Sequence, residues 1–170
     1  MNIEYSWGDF MRWRTHRAIG MSTYSLMLIP IFGIKIFLPS MLGLMTTYFS
    51  SYLPDQIEKP FGLEHRGPTH SLVAIGLVFI LAISLYLIFP QAWLLSLGLY
   101  WGYAIHIIAD GFTDRGVSFL WPIKKRYLIR RLWWYNSGDE IEGKLTTVLL
   151  VVTIGIWVFL YFRLVSGFMQ

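Results

Sequence analysis

Long apolar runs separated by short polar stretches dominate this chain, and most runs are close to the roughly 20 residues that a helix needs to cross a bilayer. Apolar windows occur at 71–89, 91–109 and 145–165. The stretch 18–53 is too long for one crossing and reads as two, 18–36 and 37–53, with Pro30, Lys35 and Pro39 marking the hairpin between them. The pattern predicts an all-α fold: a polytopic membrane helical bundle of about five transmembrane helices, forming a single domain over 1–170. The first twenty residues are polar and aromatic, and no small-residue cleavage pattern follows, so no cleavable signal peptide is expected. Internal repeats and low-complexity runs are not visible.

Counting crossings brings three polar segments, 1–17, 54–70 and 110–144, to one face. Of the 14 Lys and Arg residues, all but Lys35 and Arg163 fall in these segments, which predicts by the positive-inside rule that this face is cytoplasmic. Composition agrees with a membrane location: 55% of residues are hydrophobic and 14% charged, against about 25% charged in a soluble domain. The sequence pI near 9.4 is not a nucleic-acid signature here, because Lys124, Lys125, Arg126, Arg130 and Arg131 crowd beside an expected membrane surface. Such a cluster fixes topology or meets anionic lipid head groups. Membrane lipids are the expected partners, and no nucleic acid is expected. The oligomeric state is not legible. Zero cysteine excludes disulfides and thiolate ligands, so a transition-metal site has to be built from His, Asp and Glu.

All four histidines, His16, His65, His70 and His106, lie on that face or at the helix end that reaches it. His106 and Asp110 occur as HIIAD, and an i, i+4 spacing on a helix puts both side chains on one side, able to chelate one ion. The stretch HRGPTHS, 65–71, supplies His65 and His70 around a Gly-Pro turn, with Thr69 or Ser71 placed to cap the next helix. Arg66 suits either a phosphate or an ion pair with Asp55, Glu58 or Glu64. The stretch LPDQIE, 53–58, delivers Asp55 and Glu58 at the end of the second expected helix. Carboxylate with imidazole is the ligand mix of zinc and manganese sites. Glu142 stands in the first turn of the last expected helix, where an acid also favours the helix dipole.

The ordered set THRAIG, LPD, HRGPTHS and GYAIHIIADGFTDRGVSFLWP resembles the YdjM-like family of bacterial membrane-bound metal-dependent hydrolases, over roughly residues 15–145. The order His, Asp, His, HxxxD is also distantly similar to zinc-dependent phospholipase C. The chain departs from these patterns in two ways: the family's second aspartate after LPD is replaced by a displaced Glu58, and no histidine follows His106. The resemblance implies a hydrolase of the bacterial inner membrane that cleaves a phosphoester, lipid-linked for preference, with one or two divalent ions, zinc first and manganese second. Asp55, His70, His106 and Asp110 are the first-choice ligands. His16, His65 and Glu142 are then assigned to a second metal or to the surround, Glu58 or Glu142 to the general base, and Arg66 to the anion. The rival reading is a non-enzymatic membrane protein with a structural metal that binds a partner protein or lipid, for instance through the Trp-rich loop around Trp121, Trp133 and Trp134.

Overall fold

The computed structural model of the chain describes residues 13–29, 36–64, 66–113, 116–123 and 140–168. Those residues form six α-helices: α1 (Trp13–Leu28), α2 (Phe37–Ser50), α3 (Leu53–Phe61), α4 (Leu72–Ile88), α5 (Trp93–Gly111) and α6 (Glu140–Phe168), with single 3-10 turns at Pro68–His70 and Pro90–Ala92. The all-α expectation holds, and five of the six helices coincide with the expected apolar runs. The helix expected over 18–36 starts earlier, at Trp13, and its α-helical part ends at Leu28.

The larger difference lies at 51–61, which was expected as the end of one helix and the start of a loop. Pro54 has no N–H to give the carbonyl four residues back, so α2 stops at Ser50 and the chain turns at Ser51 and Tyr52. Proline is well tolerated in a helix's first turn, and α3 starts there with Asp55 also in its first turn. It ends on Gly62 in the left-handed conformation, φ 58°, where a side chain would be strained. Ser71 caps α4, its hydroxyl accepting from the Ala74 N–H at 3.2 Å.

Side-chain contacts fix the helix directions. Residues of α1 meet α6 in rising order on both helices: Thr15 with Thr146 at 2.8 Å, Ser22 with Thr153 at 2.8 Å, and Trp157 donating to Ser25 at 2.9 Å. These two helices are parallel. α5 runs against α1, since Tyr24 reaches Leu94 while His16 stacks on His106. α2 runs along α5, with Thr46 on Leu95 and Ser50 on Gly98. The starts of α1, α4 and α6 and the ends of α2 and α5 therefore share one end of the bundle, as the parity of the polar segments predicts.

Packing is polar inside and apolar outside. Thr15, Ser22, Ser25, Ser40, Thr47, Ser50 and Ser51 are buried, whereas Leu77, Ile80, Leu87, Val151, Ile154 and Phe162 are exposed. Hydrocarbon surroundings give this inversion, because lipid adds no hydrophobic force between helices, and association rests on close contact and interhelical hydrogen bonds. Gly98 and Gly102 on α5 let α2 approach: a Cβ at Gly98 would collide with the Gly43 carbonyl, and one at Gly102 would stand 2.5 Å from the Thr47 carbonyl. Two helical stretches, Pro90–Gly111 and Glu140–Ser166, are long and apolar enough to cross a membrane, and Leu72–Ile88 is a shorter apolar helix. With 16 and 14 residues, α1 and α2 extend only about 24 and 21 Å at 1.5 Å per residue.

Candidate metal centre

Four donors converge at the shared end of the bundle. Asp55 comes from the first turn of α3, His70 from the turn before α4, and His106 and Asp110 from consecutive turns of α5. These four form a group able to hold a metal ion, with one ligand atom of each within 4.8 Å of every other. His70 Nε2 lies 3.1 Å from His106 Nε2, 3.4 Å from Asp55 Oδ1 and 3.3 Å from Asp110 Oδ2. His106 Nε2 lies 3.5 Å from each of the same two carboxylates. Four ligands placed tetrahedrally at about 2.0–2.1 Å from an ion are about 3.3–3.4 Å apart, so these spacings match a shared cation.

Proton bookkeeping points the same way. The Ser51 carbonyl, which can only accept, stands 2.7 Å from His106 Nδ1, so that nitrogen carries the hydrogen. On His70, Nδ1 faces the Glu58 carboxylate at 2.8 Å. In neutral rings both Nε2 atoms then present lone pairs to one another and to two carboxylates. Only a cation, a metal ion or protons, makes that arrangement favourable. Burial alone raises the Asp55 carboxyl, but hydrogen bonds from His106 and His70 outweigh it and hold the group well below the usual carboxylate range. Burial lowers the His70 imidazole, yet bonds to Asp110, Asp55 and Glu58 more than reverse this, so in the metal-free protein it holds a proton well above its ordinary value.

A second layer fixes the ligands. The Oε1 atom of Glu58 accepts from the Arg66 backbone N–H at 3.1 Å, from His70, and from the Thr69 hydroxyl in a short bond. Tyr103 in turn donates to the Thr69 carbonyl at 2.8 Å. Arg66 adopts a positive φ of 61°, which a bulky residue takes only when its surroundings impose it. Its guanidinium reaches Asp110 Oδ1 at 2.8 Å, the Thr113 hydroxyl at 2.7 Å and the Gly116 carbonyl at 3.3 Å. Asp110 therefore offers Oδ2 to the centre while its other oxygen is held from outside. His16 also stands on that outer side, its Nε2 3.4 Å from Oδ1 and its ring stacked on His106 at 3.9 Å.

Not every candidate from the sequence joins the four. Glu58 is an orienting acceptor for His70, and Arg66, expected at a phosphate or at Asp55, Glu58 or Glu64, directs its guanidinium to Asp110. Glu142 is buried on α6 and accepts from Thr15 at 2.7 Å. His65, the 124–131 cations, Trp133 and Trp134 lie outside the described residues. Ser51 was missed, and Thr69 was expected only as a helix cap, the place that Ser71 takes. Nothing in a serine's letter signals that its backbone carbonyl will orient an imidazole, whereas Thr69 between Glu58 and His70 had a signal in its position beside a candidate ligand.

The sequence model of a family described as YdjM inner membrane protein matches residues 11–165. Inner membrane protein YdjM of Escherichia coli (strain K12) and its namesake from Shigella flexneri are each 36% identical over 104 residues, which cover 59% of this chain and 50% of theirs. The chain thus spans about half the length of the curated relatives it matches. No solved structure matches it. A polar-inside helical bundle, a His/Asp donor group at one end and a match along nearly the whole sequence converge on one assignment: the chain belongs to the YdjM inner membrane protein family.

Proposed function

We propose that this membrane protein is a metal-dependent hydrolase acting on a phosphoester, with a lipid-linked ester preferred. The observation that carries the reading is the donor group itself: two imidazoles oriented by Glu58 and the Ser51 carbonyl present both Nε2 atoms to two carboxylates. Zinc suits four N/O donors at this spacing, and manganese is the second choice. A divalent ion held by these four donors would need a water as a fifth ligand, and it would then lower that water's pKa towards about 7 and polarise the ester. The chain does the rest. Asp55 and Asp110 supply the negative charge, Glu58 and Ser51 hold the tautomers, and Arg66 with His16 prevents Asp110 from swinging its second oxygen inward. Asp55 is 12% exposed while His70, His106 and Asp110 are at most 2% exposed, so solvent and substrate reach the centre past Asp55. In the proposed topology the chain crosses the inner membrane several times, with this end at the cytoplasmic face.

A structural metal is the second reading, and it too has an observation in its favour: four protein ligands and near-complete burial are features of closed sites. Metal analysis of the protein purified in mild detergent, combined with an assay for phosphate or phosphorylated head group released from lipid extract, separates the two. The hydrolase reading expects bound metal, chelator-sensitive release, and a folded Asp110→Asn variant with turnover strongly reduced. Chelation that simply unfolds the protein, with no release by the metal-replete form, rejects it.

A further inference from the structure

The exposed edge of the centre is rimmed by cations resting on aromatic rings. Asp55 and Lys59 are four residues apart on α3 and so share a helical face, and Tyr52 stands just before that helix. Lys59 Nζ lies 4.5 Å over the Trp13 ring, which stacks on Tyr52 at 6.4 Å. The Arg17 guanidinium lies 4.2 Å from the Tyr52 ring and 4.4 Å from the Tyr48 ring, and it donates to the Tyr48 hydroxyl at 2.8 Å. Five side chains from α1, α2, α3 and the turn before it thus form one patch beside Asp55. Among the described residues neither cation has a carboxylate partner. Ring faces attract a cation without neutralising it, so both charges remain available to an anion.

Apolar surface adjoins the patch. Phe49, which contacts Tyr48 and Tyr52, is 52% exposed, and Trp13, under the Lys59 ammonium, is 40% exposed. A cationic, aromatic site continuous with the exposed Phe49 fits an amphiphile whose head is anionic and whose tail stays in the bilayer. Building on the hydrolase reading, we propose that Arg17 and Lys59 bind the phosphate of an anionic lipid head group and present its ester to the centre at the Asp55 edge. Arg66, enclosed against Asp110, is not the anion receptor in this arrangement. The same patch would also serve as an ordinary interfacial belt, and binding measurements tell the two apart.

The test titrates the full-length, metal-loaded protein in detergent with dihexanoyl phosphatidate, with dihexanoyl phosphatidylcholine and with inorganic phosphate, following ³¹P resonances and tryptophan fluorescence. Phosphatidate should bind more tightly than the other two. The paired substitution Arg17→Gln with Lys59→Gln should weaken it by about tenfold or more, the scale of a lost charge-assisted contact, with metal content unchanged and the protein still folded at the assay temperature. Trp13→Phe should remove much of the fluorescence response while the ³¹P response persists. His70→Ala, depleted of metal, should still bind phosphatidate, so a failed hydrolase reading and a failed head-group site give different results. Wild-type affinity in the folded double variant overturns the proposal. Inorganic phosphate binding as tightly as phosphatidate overturns the lipid assignment.

Discussion

At the scale of single residues, the centre depends on Glu58 as much as on the ligands, because one carboxylate oxygen collects donors from Arg66, Thr69 and His70. Glu58→Gln keeps the shape and removes the charge, and it should cut metal affinity about 10–100-fold, as loss of a ligand's orienting partner typically does. Glu140→Gln, at a position 83% exposed, should change nothing. Competition with a chromophoric chelator measures both, and equal affinities would remove Glu58 from this role. A pH dependence follows from the two displaced groups outside the membrane-spanning helices. Asp55 is held low, so its stabilisation of the metal-free protein is present above the ordinary carboxylate value and lost as pH falls through the folded one. His70 is held high, so its share is full below the ordinary imidazole value and lost as pH rises through the folded one. The metal-free protein should therefore be most stable between about pH 4 and 6.5, while a metal ion, which must displace the proton, binds better as pH rises. The gap in thermal midpoint between loaded and chelator-treated protein should widen from pH 5.5 to pH 8; a constant gap would contradict the assignment. The four converging donors were legible because ionisable groups are conspicuous in so apolar a chain. Arg66's partner was not, since the left-handed turn that aims its side chain inward is invisible in the residues that make it.

At the scale of helices, run length and apolarity made five elements readable, and proline placement explains the sixth. α3 was hidden because nine amphipathic residues next to an apolar run look like that run's frayed end; Pro54 and the left-handed Gly62 give it away only once both are read together. The small-residue spacing Gly98–Gly102 was also present in the sequence and is a known mark of close helix approach. Its consequence is measurable. Gly98→Ala drives a methyl group into the Gly43 carbonyl and should destabilise the fold by about 1–3 kcal/mol. Gly76→Ala on α4, where nothing lies within 4 Å, should be neutral or stabilising by up to about 1 kcal/mol through helix propensity. Thermal unfolding in detergent compares them, and equal midpoints would mean that α2 and α5 do not rely on this contact.

At the scale of the molecule, the directions of the helices turn the proposed topology into a labelling pattern. The chain has no cysteine, so single cysteines can be placed at Gln91, exposed in the turn between α4 and α5, and at Glu140, exposed at the start of α6. They should react from opposite sides of sealed vesicles; reaction from the same side would remove α5 from the membrane. The four ligands carry a separate implication for how the protein matures. Asp55 and His70 both precede α4, but the other two donors sit near the end of α5, so a nascent chain has only half of the donor set until its fifth helix has been made. A pair of side chains holds an ion weakly, and although Glu58 and Thr69 already lie beside His70, His106 and Asp110 join Asp55 and His70 only once α5 has docked. Were the centre to take an ion, metallation would be a late event in biogenesis, conditional on correct assembly, and the bound ion would report that the hairpins have found one another.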